Sequence, residues 1–326
     1  MTTVSGTGPD SSLTSSTVLP SPNGITTQAN HHYPDLNTAE QQSPQQPQPA
    51  KDDSSSIRQE ETQSPPLSTV IASTNHRIHS FLAESHHPPF SLLAAVQHKT
   101  RTSLDIFASA LSRYPLSELS LSYNGGKDCL VLLVLFLASL HPHPPPEEGG
   151  FVSIPAIYAL PPDPFPAVEE FVQSSARAYH LSIVKYTTDP PRRTLKSSFQ
   201  DYLALNPAIK AIFVGTRRTD PHGAKLSHFD RTDSGWPDFV RIHPVIDWHY
   251  AEIWAFIRHL GFEYCSLYDQ GYTSLGGTSD TLPNPKLRVD DQIQQSEEES
   301  QREAQSQQYR PAYELTEDLE ERLGRN

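Results

Sequence analysis

Between Leu119 and Gly215 the chain sets four short β-type runs against three helical patterns, and this alternation constrains the fold more than any other feature of the sequence. "LSLSY" leads into an apolar helix over Asp128 to Leu140, and "SIPAIYAL" is followed by a helix carrying Val168, Phe171, Val172 and Ala176 on one face. "SIVKY" precedes the helical "LKSSFQDYLALNP", and "IKAIFVG" closes the series. Regular β-α-β order calls for an α/β fold with a doubly wound, mostly parallel sheet and helices on both faces. Ahead of the series, Leu92, Leu93, Val96, Leu104, Phe107, Ala108 and Leu111 predict one more helix ending before Pro115. Behind it, "DWHYAEIWAFIRHLG" predicts another, with Asp247 as N-cap and Gly261 as terminator. Trp248 and Trp254 are expected in the core.

In doubly wound sheets ligands bind beyond the carboxyl ends of the strands. There the first and fourth strands carry the two most charged loops, "NGGKD" and "GTRRTDP". Gly125 and Gly126 permit a tight turn from strand to helix, whose N-terminus presents N–H groups and a positive dipole to an anion. Lys127 adds a point charge, and Asp128 beside phosphates is the usual kind of magnesium anchor. The competing reading is an ordinary turn with surface charges.

Composition divides the rest of the chain. Residues 1–75 are rich in Ser, Thr, Pro, Gln and Asn with few large apolar residues, and are expected to be a disordered tail. Residues 76–288 form the expected domain, 289–308 an acidic flexible loop, and 309–326 a C-terminal extension of helical and loop character that folds back. A net charge of −13 argues against a nucleic-acid partner. The apolar run from Cys129 to Leu140 is too short to span a membrane. Two cysteines without metal or redox spacing, and no recognisable secretory start, point to the cytoplasm. The "HH" and "HPHP" histidines have no ordered ligand partners in sequence.

Taken together, "SYNGGKD", "VGTRRTDP", "RTDSGWPDFVRIHPVIDW", "IWAFI", "LYDQGYTSLGG" and the final "YRPAYEL…ERLGR" resemble the PP-loop adenine-nucleotide α-hydrolase family, which includes phosphoadenylylsulfate reductases. More closely, they resemble the fungal-type FAD synthases of that family. The resemblance covers roughly Ser91 to Leu287 and the C-terminal segment.

It implies a Rossmann-like PP-loop fold and the transfer of AMP from ATP to FMN, with magnesium, to give FAD and pyrophosphate. Asn124, Asp128, Arg322 and Arg325 would be the catalytic set, with Asp128 holding the metal. Ser122, Tyr123, Gly125, Gly126, Lys127, Tyr158, Ala159, Arg217 and Arg218 would bind ATP; one of the two adjacent arginines reads equally as a surface charge. Arg231, Asp233 and Trp236, with Arg322 and Arg325, would bind flavin, although Trp236 reads equally as a core anchor beside Pro237. The partners are these small molecules, and a monomer is expected. The alternatives are a sulfonucleotide reductase, against which stands the lack of a C-terminal cysteine, and a nucleotide-binding module without catalysis.

Overall fold

The computed structural model describes residues 64–85, 88, 91–142, 153–187, 194–289 and 308–326. Most of the expected tail, the residues 290–307 of the acidic loop and Pro190 to Arg193 lie outside them.

The six strands are β1 (Leu119–Ser122), β2 (Ile154–Ala159), β3 (Leu181–Tyr186), β4 (Ala211–Phe213), β5 (Phe229–Arg231) and β6 (Val240–Ile242). They form one sheet in the order β3-β2-β1-β4-β6-β5, parallel except for the edge strand β5. Leu121 faces Ala156 on one side and Phe213 on the other. The chain thus leaves β1 toward β2 and β3, then returns to the opposite side of β1 at β4. The carboxyl ends of β1 and β4 therefore flank the switch point, where a doubly wound sheet opens a crevice.

The helices are α1 (Leu67–Ala83), α2 (Leu92–Arg113), α3 (Lys127–Ser139), α4 (Pro166–Ala178), α5 (Leu195–Leu205) and α6 (Tyr250–Leu260). Helix α3 is buried from Leu130 to Ala138 because α1, α2 and α6 pack around it, which explains why its sequence is apolar on every side. Phe107, Phe136 and Phe213 meet at centroid distances of 5.0 to 5.7 Å in this layer. Trp248 and Trp254 lie in the same core, each 2 % exposed. On the other sheet face Phe199 and Tyr202 of α5 pack with Ile157, Tyr186, Ile212 and Phe239.

Two boundaries depart from the sequence reading. Helix α1 begins at Leu67, inside the stretch assigned to the tail, because Leu67, Val70, Ile71, Thr74, Ile78 and Phe81 recur at helical spacing and are buried. Each large apolar side chain so buried contributes about 1.5–3 kcal/mol, which composition averaged over a long polar segment conceals. Helix α6 begins at Tyr250 with His249 as its N-cap residue, not Asp247. Asp318 from the C-terminal segment accepts the Tyr250 N–H at 2.7 Å and Glu252 accepts the His249 N–H at 2.7 Å, so a distant carboxylate shares the capping with a local one. The C-terminal segment itself forms short 3₁₀ turns at Ala312–Glu314 and Asp318–Glu320.

Candidate active site

The junction from β1 to α3 is shaped by its own side chains. Tyr123 N–H continues the sheet to the Ile157 carbonyl at 3.0 Å, and Gly125 then takes a left-handed φ of 73°. Asn124 Oδ1 accepts the Gly126 N–H at 3.0 Å, and the Tyr268 phenol oxygen accepts the Lys127 N–H at 3.0 Å. Two N–H groups expected to face an anion are therefore engaged in holding the turn. Tyr268 escaped the sequence reading because its partner is a backbone group 141 residues away.

Two cavities open at the switch point, and Asn124 and Leu275 line both. One, of about 320 Å³, is walled mainly by apolar groups, including Tyr158, Ala159, Leu160, Val168 and Leu195. The other, of about 290 Å³, is polar and is lined by Ser122, Gly126, Lys127, Asp128, Glu321 and Arg322 among others. An apolar slot beside a polar chamber suits a molecule with a flat ring at one end and several charges at the other.

The wall of the polar cavity carries a lattice of ion pairs, with Arg217 buried behind it. Asp128 places Oδ2 3.0 Å from Lys127 Nζ and Oδ1 2.8 Å from Arg217 Nε. Glu321 reaches in from the C-terminal segment and pairs with both Lys127 and Arg217. Arg217 also meets Asp318 at 3.3 Å and Asp220 at 3.5 Å, and its backbone N–H donates to Asp220 at 2.8 Å. Burial alone would lower the Lys127 pKa, yet the carboxylates of Asp128 and Glu321 outweigh it, so the ammonium titrates above its usual range. Burial likewise opposes the Asp128 charge, but Arg217 and Lys127 override it and hold the carboxyl below the usual range.

This lattice revises two expectations. Arg217 is 0 % exposed and is surrounded by carboxylates, so in this arrangement it offers no face to a phosphate. Arg218 turns away from the cavity, to Asp247 at 2.6 Å and the carbonyls of Ala224 and Leu226. Of the pair, Arg218 is the surface charge.

Arg322 lines the polar cavity. Arg325 instead pairs with Asp280 at 3.0 Å and lies flat on Gly276, where an added methyl group would overlap its guanidinium. Gly276 and Leu275 belong to a loop pinned by Asp163, whose side chain accepts from Thr278 Oγ1 and the Ser279 N–H. Asp163, given no role by the sequence, is thus a loop anchor.

The expected flavin residues lie on the β5–β6 hairpin. Arg231 pairs with Asp238 at 2.6 Å, Asp233 stands 3.6 Å from Arg241, and Trp236 is 37 % exposed with its ring 6.5 Å from Phe199. None of the three lines either cavity. Trp236 adjoins α5 through Phe199, and Thr194, Leu195 and Ser198 at the N-terminal end of that helix do line the apolar one. These α5 positions carried no sequence signal beyond the helix itself.

Residues 118–283 match the phosphoadenosine phosphosulfate reductase domain family. A probable FAD synthase of Schizosaccharomyces pombe is 38 % identical over 243 residues, which span 74 % of this chain and 84 % of that protein. The chain belongs to the FAD synthases. Among solved structures, FMN adenylyltransferase of Candida glabrata in complex with FAD and inorganic pyrophosphate aligns with a TM-score of 0.74 at 29 % identity, covering 81 % of this chain and 99 % of that one. The same enzyme with FMN and the ATP analogue AMPCPP aligns at 0.72 and 30 % identity, over 80 % and 100 % of the two chains. In this FAD synthase family member the mostly parallel sheet is the fold class that the sequence alternation predicts, with β5 and β6 added to the four strands that it places.

Proposed function

We infer that this chain transfers AMP from ATP to FMN, giving FAD and pyrophosphate. The observation that carries the reading is the pair of cavities at the carboxyl ends of the central strands, one apolar and one polar, which share Asn124 and Leu275 in their walls. In the reaction an FMN phosphate oxygen attacks the α-phosphorus of ATP, a new P–O bond forms, and the bond to the β-phosphate oxygen breaks in line. Pyrophosphate leaves with that electron pair. The nucleophile is already ionised, so the protein's part is alignment and charge compensation.

In this reading the walls at Tyr158, Ala159 and Leu160 take the adenine, and Ser122, Asn124 and Gly126 bound the phosphates. Arg322 supplies positive charge facing into the polar cavity. Asp128 and Lys127 stand in the cavity wall, and Arg217 fixes them from behind. Arg325 acts one step back, by holding the Gly276 loop. The hairpin residues Arg231, Asp233 and Trp236 remain the proposed contacts for the flavin ring.

Magnesium enters this reading as an ion carried on the ATP phosphates. Asp128 lines the polar cavity and is the carboxylate that would reach such an ion, although each of its oxygens here faces a cation, and among the described residues no group of three or more His, Cys, Asp or Glu is gathered for a metal. Asp128 alone would supply one ligand, and the ATP phosphates and water would supply the rest.

The reductase alternative lacks a thiol with suitable chemistry. Cys265 is 1 % exposed with its pKa raised by burial, and burial pushes the Cys129 thiol up to about 12, so neither is a thiolate near neutral pH. No helix among the described residues is long and apolar enough to cross a membrane. We further propose a monomer acting in the cytoplasm, where unpaired cysteines such as these two are stable.

The test is to incubate the purified chain with FMN, ATP and magnesium and follow FAD and pyrophosphate together. Equal amounts of both are expected. FMN binding without FAD formation would leave a binding module and refute the transferase.

A further inference from the structure

The C-terminal segment is fastened to the site by two carboxylates three residues apart. Asp318 accepts from Arg217 Nη1, from the Tyr250 N–H and from His249 Nδ1, joining the segment to the start of α6. Glu321, with its side chain 6 % exposed, lies between Lys127 at the start of α3 and Arg217 beyond β4. The Glu321 backbone is gripped as well. Its carbonyl accepts from Thr273 Oγ1 at 2.5 Å, and Asn284 Nδ2 donates to the Glu320 carbonyl at 2.8 Å. Thr273 and Asn284 are themselves buried.

A carboxylate this deep is expensive to desolvate and persists where cations and hydrogen bonds complete its shell. Glu321 and the next residue, Arg322, both line the polar cavity, but the Glu321 carboxylate is taken up by Lys127 and Arg217. The chain is thus anchored immediately before the one arginine of this segment that lines the polar cavity. Arg325, three residues on, is fixed separately by Asp280. Gly324 adds a backbone bond, its carbonyl accepting the Leu282 N–H at 2.8 Å.

We propose that Glu321 is a positioning residue: its carboxylate, engaged on one oxygen by Lys127 and on the other by Arg217, acts by setting Arg322 in the polar cavity. The clamp also spans the crevice, since Lys127 and Arg217 stand at the ends of different strands. It locks the C-terminal segment, the β1–α3 loop and the β4 loop into one arrangement. The proposal rests on the adenylyl-transfer reading for its kinetic consequence, but the docking it describes does not.

The experiment compares Glu321→Gln, Arg322→Ala and the double variant for turnover and for KM of ATP and FMN. Glu321→Gln keeps the shape and removes the charge. A displacement of Arg322 by about 1 Å is expected to lower kcat by about 100-fold, with smaller changes in KM. If Glu321 acts through Arg322, the double variant is no slower than Arg322→Ala alone, to within about twofold. Multiplying losses would overturn the proposal, as would unchanged kcat in Glu321→Gln. Should Glu321→Gln fail to fold, Glu321→Asp takes its place in the same cycle, with a partial loss expected and the same non-additivity required.

Amide exchange of residues 308–326 supplies a readout independent of catalysis. Faster exchange there, with α3 and α6 unchanged, is expected in Glu321→Gln, and unaltered exchange would refute the clamp. If the wild-type chain made no FAD, the transferase reading would fall, and exchange alone would decide the docking role.

Discussion

Gly125 is the position where the geometry of the phosphate loop can be tested most directly by stability. Its φ of +73° lies where a side chain costs about 1–2 kcal/mol. A Cβ there would also come within 2.8 Å of Val172 Cγ2 on α4, closer than such atoms approach, and overpacking of this kind costs about 1–3 kcal/mol. Gly125→Ala should therefore destabilise the chain by about 2–5 kcal/mol. The two causes can be separated. Val172 is fully buried, so Val172→Ala alone loses about 2 kcal/mol of packing, but it also opens the space that the new methyl needs. The double variant should then lose about 1–3 kcal/mol less than the sum of the singles. Urea unfolding followed by tryptophan fluorescence reports this, since Trp248 and Trp254 are both buried. Losses that add to within about 0.5 kcal/mol would refute the close approach of loop and helix. A single-variant loss below about 1 kcal/mol would refute the need for a left-handed residue.

Arg217→Met should cost about 3–5 kcal/mol in the same assay, because it strands Asp128 and Glu321 as buried charges; a loss under about 1 kcal/mol would mean that the ion lattice contributes nothing. His243 is 1 % exposed, and burial lowers its pKa to about 4 from an ordinary 6.5. Below pH 6.5 the unfolded chain takes up a proton that the native ring refuses, so stability falls with pH and is about 3 kcal/mol lower by pH 4. His243→Gln should flatten that part of the stability–pH curve, and an unchanged slope would place the acid sensitivity elsewhere. Arg322→Ala should depress FAD formation strongly while Arg218→Ala leaves it near the wild-type rate, since only Arg322 faces the cavity; the reverse order would refute the assignment of the two arginines.

The sequence exposed those parts of the fold that rest on local periodicity. Helix α3 announces itself by an apolar run that only a buried helix explains, and "NGGKD" marks its junction because the turn needs Gly125. The β5–β6 hairpin stayed hidden, since strands of three residues each are too short to show alternation. The start of α1 was lost in the polar composition around it. Glu321 was out of reach for a different reason: its ion-pair partners stand 194 and 104 residues away, so nothing near "ERLGR" distinguishes it from a solvated surface charge.

That distance explains why the charged residues of the site were harder to read than its backbone. Lys127 and Arg217 look like phosphate ligands when each is considered alone. In the folded chain they meet four carboxylates, Asp128, Asp220, Asp318 and Glu321, and are largely spent on one another. Such a lattice adds little net stability over a packed apolar core, because the desolvation of its members offsets their attraction. It does fix relative position, since each carboxylate reaches its partners in one arrangement only. A reaction between two anions gains most from groups held where charge develops. The buried ions are therefore best understood as the frame that holds the β1–α3 loop and Arg322 around the polar cavity, and a charge removed from that frame should disturb catalysis by displacing its neighbours.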